Sequence, residues 1–375
     1  MASVLGAFDK FKGTATSKQL GLAACRGARR AGWGCRPVAL SDGGEGFLEA
    51  LASPSDKLQV AKVEDALGRE VEVKWLLRLI PGVHFGIEAG ADTPGKLSFT
   101  APVAFIESAS AIGLDVLGGP ERNDPVAAST RGVGQLVLAA LEAGARTVVV
   151  GIGGSSTTDG GKGAVDVLMP ARQAGALEAV RLVGAYDVRS TFADAARIFA
   201  PQKGASPEQV SLLDERLAAI AGEYEHTFGV DVTALAGSGA GGGLAGGLAA
   251  LGGALVPGAQ MVASAVDLGS NIQAADVVVT GEGRYDHTSA EGKLPALVQA
   301  MAGQRRVPVV VIAGEVEQLP TKITRALRGQ LGCLDGTLVS LTEQFGAARS
   351  LQDPLSCVEE VMAELLEGLG LITCR

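Results

Sequence analysis

Short unbroken runs of Val and Ile recur along the chain between amphipathic stretches, and they predict buried strands alternating with helices. Residues 4–8 predict a first strand, and Ser17 opens a helix to residue 31 with Leu20, Ala23, Ala24 and Ala28 on one side. Residues 37–40 predict a second strand, followed by a glycine-rich turn and a helix through Leu51. Toward the other end, strands are predicted over 277–280, 307–313 and 336–341, with a helix over 294–301. A last helix sets Val358, Val361, Met362, Leu365, Leu366 and Leu369 at i, i+3, i+4 spacing. Fully apolar strands separated by helices are the pattern of a parallel sheet covered on both faces.

The middle of the chain is more mixed. Strands are predicted over 70–79, 103–107 and 147–151, and helices over 132–143 and 207–221. The two chain ends therefore read as halves of one doubly wound sheet with the middle inserted. The expectation is an α/β fold of two domains, residues 1–62 with 265–375 forming one and residues 63–264 the other.

Composition narrows the classes. With 47% apolar and 19% charged residues, the 375-residue chain has ample material for packed cores and is not a disordered one. Aromatics are only 4%, so Ala, Val and Leu must fill those cores. The 53 glycines follow no Gly-X-Y period, which excludes collagen. A net charge of -9 argues against nucleic acid as a partner, because such binding depends on clustered Lys and Arg. Five scattered cysteines without a CxxC pair, and three isolated histidines, predict reduced thiols in a cytoplasmic protein and neither a zinc site nor a disulfide framework. Asp9 and Lys10 interrupt the first apolar run, so no secretory signal is expected. The uncharged stretch 232–266 is long enough to span a bilayer, but ten of its residues are glycine. It predicts a glycine-rich loop and a buried small-residue helix, with no membrane partner.

Glycines and charges concentrate just after the predicted strands, where ligands bind in open α/β sheets. The first cluster is Asp9-Lys10-Phe11-Lys12-Gly13-Thr14, whose cations and carboxylate suit a phosphate and a metal ion, or a solvated turn. The second, Ser41-Asp42-Gly43-Gly44-Glu45-Gly46, lets backbone N–H groups converge on an anion, or forms a tight acidic turn. The third, residues 151–162, holds five glycines, four hydroxyls and Asp159 in twelve positions, a density that folding alone does not call for. The fourth, residues 237–243, contains a GxGxxG match at Gly237, Gly239 and Gly242, a weak signal for a nicotinamide cofactor because no acid stands at the required distance. The fifth places Glu282, Arg284, Asp286 and Lys293 within twelve residues, the mixture of acids and bases that phosphoryl transfer uses. His287 beside it reads as a loop residue.

In this order the clusters resemble the glycerate kinase family of the bacterial type. Asp9-Lys10-Phe11-Lys12-Gly13 is similar to its DSFKG stretch, residues 41–46 to its ADGGEG, and residues 151–161 to its GIGGSAT-x-DGG. PQKGA is intact at 201–205, and residues 279–286, followed by Gly292-Lys293, match ITGEGR-x-D. The resemblance implies ATP- and Mg²⁺-dependent phosphorylation of D-glycerate, usually on the 2-hydroxyl, by a monomer or homodimer. It also implies a Rossmann-like parallel-sheet domain built from both chain ends, an inserted α/β domain, and an active cleft between them.

On that basis Gly153, Gly154, Ser155, Asp159 and Gly160, with Gly239, Gly241 and Gly242, are expected to hold the nucleotide phosphates. Asp42, Glu282 and Asp286 are the expected Mg²⁺ ligands. Lys12, Lys203 and Lys293 would neutralise the transferred phosphoryl group, with Asp9 beside them, and Arg284 would grip the substrate carboxylate. Asp187, or Asp159, would accept the hydroxyl proton. The chain also departs from the family. The segment between Gly161 and Asp187 is shorter, DV-x-NPL has become Asp187-Val188-Arg189-Ser190-Thr191-Phe192, and FGTGEL reads Arg131-Gly132-Val133-Gly134-Gln135-Leu136. A Gln-Thr pair is replaced by Thr288-Ser289. These changes keep a non-catalytic nucleotide- or metabolite-binding protein open as an alternative.

Overall fold

A computed structural model describes residues 2–79, 99–286, 293–317 and 337–373. His84, Cys333, His287, Gly292, Thr288 and Ser289 lie outside the described residues, as does Cys374. The chain forms two compact units, residues 1–41 with 262–375, and residues 42–261. The boundary expected after residue 62 is corrected by the sheet, since residue 62 falls inside one strand of the second unit and cannot divide two units.

Strands are numbered along the chain. The first unit carries β1 Ser3–Phe8, β2 Gly34–Ala39, β9 Val277–Tyr285, β10 Val309–Val316 and β11 Thr337–Ser340. All are parallel, in the order β11-β10-β9-β1-β2. The chain thus winds outward from β1 in one direction, then resumes on the other side of β1 and winds the opposite way. The reversal lies between β1 and β9, where an open sheet leaves a crevice at its carboxyl end. Helices Ser17–Arg30 and Pro354–Thr373 cover one core, in which Phe8, Leu20, Ala24, Ile312, Val358 and Met362 pack together. They approach closely at Gly27, where a Cβ would stand 2.7 Å from Met362 Cβ. Small side chains do here what aromatic bulk does elsewhere.

The second unit holds β3 Lys57–Glu64, β4 Glu70–Arg78, β5 Val103–Glu107, β6 Thr147–Ile152, β7 Arg181–Tyr186 and β8 Ala254–Pro257, in that order across the sheet. β3 and β4 form an antiparallel hairpin, β4 meets β5 antiparallel, and β5 to β8 are parallel. The uncharged stretch 232–266 becomes glycine turns, helix Leu244–Ala250, β8 and helix Gly258–Ala265. No helix among the described residues is long and apolar enough to cross a membrane.

Two further expectations are corrected. Cys25 and Cys35 are joined by a disulfide, because helix Ser17–Arg30 packs beside β2 and brings their Cα atoms to 5.1 Å, a proximity the linear spacing hides. And β9 does not end at residue 280. It runs on through the fifth cluster to Tyr285, pairing Glu282 with Ala313 and Arg284 with Glu315.

Candidate active site

In the second unit the parallel strands β5, β6 and β7 present their carboxyl ends side by side, and the second, third and fourth clusters gather there with Asp187. Asp187 follows β7 directly, its backbone N–H donating to Ile152 O at 3.2 Å. Gly153 follows β6, so close that an added Cβ would stand 2.6 Å from Asp187 Oδ2 and 2.7 Å from Gly44 Cα. The 42–46 turn is thereby laid against both strand ends, and half-buried Asp42 accepts from Gly44 N–H at 3.1 Å. The fourth cluster interlocks with the third. Gly160 N–H donates to Gly242 O at 3.0 Å, and Thr157 Oγ1 donates to Gly241 O at 3.3 Å. Gly241, Gly242 and Gly243 have φ of 64°, 66° and 94°, the left-handed region, so glycine is required for this turn. Gly239 N–H donates to Ser190 O at 3.1 Å, which ties the same turn to the segment after Asp187.

These contacts enclose a pocket of about 120 Å³ lined by Gly153, Gly154, Ser155, Asp187, Lys203 and Gly241, with Val188, Phe199 and Gln202 completing it. The first six are residues singled out in the sequence. Of the other three, Val188 and Gln202 stand beside Asp187 and Lys203 in motifs read for those charged residues, and Phe199 carries no motif signal. The volume is below the usual ~300–1,000 Å³ of drug-sized sites and suits a three-carbon acid or one phosphoryl group.

Lys203 is the electrostatic centre of this pocket. Its turn, Pro201–Lys203, directs the side chain inward, where it is 4% exposed. Nζ donates to Ser155 Oγ at 3.1 Å and to Thr157 O at 2.6 Å. Burial pushes the ammonium down from 10.5 to about 8, against the pull of the Asp187 and Asp159 carboxylates. A cation that is both desolvated and held near a carboxylate is a common sign of a working site.

Asp159 is placed differently from a phosphate or proton ligand. Its Oδ2 accepts from Thr130 N–H at 2.8 Å, Thr130 Oγ1 at 2.9 Å and Gly163 N–H at 3.1 Å, while Oδ1 accepts from Gly161 N–H at 3.1 Å. The carboxylate occupies the amino end of helix Lys162–Gln173, the place a phosphate would take, and fastens it to the start of helix Arg131–Glu142. Gly160 is held from behind by Tyr224, whose hydroxyl donates to Gly160 O at 3.0 Å.

The first and fifth clusters meet within the first unit, at the reversal between β1 and β9. Asp9 N–H donates to Gly281 O at 2.9 Å, and a Cβ on Gly283 would lie 3.4 Å from Lys12 N. Lys293 Nζ stands 3.9 Å from Glu282 Oε2 and 3.6 Å from Asp286 Oδ1, so two carboxylates converge on one ammonium. Mg²⁺ binds through one or two carboxylates plus water and phosphate oxygens, and this donor pair fits it. Asp42 belongs to the other unit, and no group of three or more His, Cys, Asp or Glu side chains forms a complete cage among the described residues. Lys12 is exposed, and Arg284 points to solvent with Nη2 3.6 Å from Glu317 Oε2.

A family model described as the glycerate kinase family matches residues 4–172 and 170–353. The chain belongs to the glycerate kinase family. The two matched pieces overlap at 170–172, within helix Lys162–Gln173. The chain is 34% identical to a glycerate 2-kinase of Escherichia coli K12, over 74% of this chain and 76% of that one. It is equally identical to a glycerate kinase of Halalkalibacterium halodurans, over 85% and 87%. A crystal structure assigned as glycerate kinase 2 from Salmonella typhimurium LT2 superposes over all of both chains with a TM-score of 0.74 and 27% identity. The α/β architecture is that of glycerate kinases.

Proposed function

We propose that this glycerate kinase transfers the γ-phosphoryl group of ATP, with Mg²⁺, to the 2-hydroxyl of D-glycerate by direct in-line displacement, giving 2-phosphoglycerate and ADP. The observation that carries this reading is the small pocket in which a buried lysine and a carboxylate share a glycine-lined wall. Asp187 takes the proton of the attacking hydroxyl. Lys203, with Ser155 beside it, faces the negative charge that gathers as the bond to the leaving oxygen breaks. Backbone N–H groups of the 153–155 and 239–242 turns orient phosphate oxygens. In the first unit Glu282 and Asp286 would hold Mg²⁺, which when bound would lower the charge of the nucleotide phosphates, and Lys12 and Lys293, with Asp9 beside them, would neutralise the transferred phosphoryl group. Arg284 is assigned to the substrate carboxylate. The enzyme works in the cytoplasm as a monomer or homodimer.

One observation favours a second reading, a non-catalytic binding protein. Ser190 replaces the asparagine of DV-x-NPL, and its buried Oγ has no hydrogen-bond partner among the described residues. A coupled ADP assay with MgATP and a panel of small hydroxy acids separates the two, and ³¹P NMR of the product separates 2- from 3-phosphoglycerate. ADP release confined to D-glycerate, with 2-phosphoglycerate formed, is expected. No release with any acid leaves the binding reading.

A further inference from the structure

Asn123 belongs to none of the glycine and charge clusters, yet its side chain joins the third of them to the PQKGA stretch. Nδ2 donates to Ser156 O at 3.0 Å and to Lys203 O at 2.9 Å. Ser156 lies between Ser155 and Thr157, the two residues that receive Lys203 Nζ. The Lys203 backbone, the Asn123 amide, the 155–157 backbone and the Lys203 ammonium therefore close a ring. The turn before Asn123, Pro120–Arg122, packs on the lysine turn as well: a Cβ on Gly204 would meet Pro120 O at 2.6 Å. Upstream, the same stretch runs along the third cluster, with Leu114 N–H donating to Gly154 O at 3.1 Å and Ser156 N–H to Ile112 O at 2.8 Å.

We infer that Asn123 is a positioning residue that fixes the distance between the Lys203 backbone and the 155–157 segment, and so aims the ammonium into the pocket. How far Nζ must reach depends on how far apart those two backbones stand. A primary amide is suited to the task, because its two N–H groups diverge and can hold one carbonyl each. The charged groups facing Lys203 are Asp187 and Asp159, and both favour the ammonium against its burial. With the two backbones parted, water would reach Nζ and its titration would move up toward that of an ordinary lysine.

The inference rests on the kinase reading for its catalytic consequence but not for its geometric one. The test uses the full chain, unaltered and as Asn123→Ala and Asn123→Leu, the second keeping the bulk while removing both donors. Competitive acetylation by acetic anhydride across pH, read at Lys203 by mass spectrometry, reports the titration whether or not the protein turns over. The expected result is a midpoint raised by about one unit in both variants. Glycerate-dependent kcat should fall by about 10²-fold, as for a displaced catalytic group, with little change in KM for ATP. An unchanged acetylation midpoint in Asn123→Leu overturns the positioning role, even if activity is lost. A raised midpoint in a chain that releases no ADP, unaltered or varied, upholds the positioning role and removes the kinase reading instead.

Discussion

Lys203 Nζ donates to the carbonyl oxygen of Thr157 across 2.6 Å, which fastens an ammonium from one turn to the backbone of another. Because burial holds that ammonium at about 8, its charge is lost within the range where enzymes are assayed. If transfer needs the cation, kcat/KM falls as pH rises through about 8, well before an ordinary lysine would titrate. Lys203→Met should lower kcat by about 10²–10³-fold, the usual cost of removing one charge-stabilising donor. A kcat/KM flat to pH 9.5 in the unaltered enzyme would withdraw Lys203 from the reaction, since at that pH a decline of about 1.5 log units is expected.

The same depressed value sets the sign of a stability effect. Between about 8 and 10.5 the unfolded chain holds this proton and the folded chain has lost it. Unfolding then takes up a proton, so the contribution of Lys203 to stability grows as pH rises through that window. Below it, the folded protein carries the cost of a buried charge. Urea denaturation of the unaltered protein and Lys203→Met at pH 7 and 10 should show the unaltered protein gaining on the variant, by about 3 kcal/mol at most. A difference independent of pH would contradict the burial argument.

Asp159→Ala should act on folding before it acts on catalysis. It removes the acceptor for Thr130 and for the N–H groups of Gly161 and Gly163, leaving buried donors unpaired. Each unpaired donor costs about 1–3 kcal/mol, so a loss of about 3 kcal/mol is a conservative expectation. Calorimetry checks it. A melting temperature within a degree of the unaltered protein, combined with lost activity, would return Asp159 to the role of ligand or base.

The contrast between Lys203 and Asp159 shows where the sequence is informative and where it stops. Strands such as β6 and β10 are legible because unbroken Val and Ile runs leave few other fates, and the glycine clusters are legible because glycine is costly unless a turn needs it. The role of Asp159 is not legible: its main partner, Thr130, is 29 residues away in the chain and meets it only through helix packing. β9 is underestimated for a similar reason. Gly281 reads as a loop residue, but the carbonyl of Ile312 crowds it so closely that only glycine permits the strand to continue. β3 hides because Leu58 and Val60 on it are exposed, which blurs the alternation that marks a half-buried strand. Asn123, a lone amide outside every cluster, offers no signal at all.

Gly153→Ala tests the pocket wall itself. The new methyl would stand 2.6 Å from Asp187 Oδ2 and 2.7 Å from Gly44 Cα, and the carboxylate is the softer of the two neighbours. Asp187 should therefore turn aside, displacing the proton acceptor by about an ångström and lowering kcat by about 10²-fold. Gly44 Cα belongs to the backbone and cannot turn aside as the carboxylate can, so the 42–46 turn must shift too and some stability is lost with the activity. Activity near that of the unaltered enzyme would mean that Asp187 has no part in taking the proton.

Asp286→Ala addresses the other unit. Asp286 and Lys293 are partly exposed and 3.6 Å apart, and such ion pairs contribute about 0–1 kcal/mol to folding. The melting temperature should then hardly change. If the carboxylate instead serves Mg²⁺ with Glu282, its removal takes away half of a two-carboxylate donor set. The Mg²⁺ concentration for half-maximal rate should rise by about 10-fold or more, and turnover at fixed Mg²⁺ should fall with it. Lys12→Ala, on an exposed side chain in the loop beside Gly283, should lower turnover without moving that Mg²⁺ midpoint. A fall in stability with an unchanged Mg²⁺ requirement would make the Glu282, Asp286 and Lys293 cluster a structural salt link, and the metal would have to be held elsewhere.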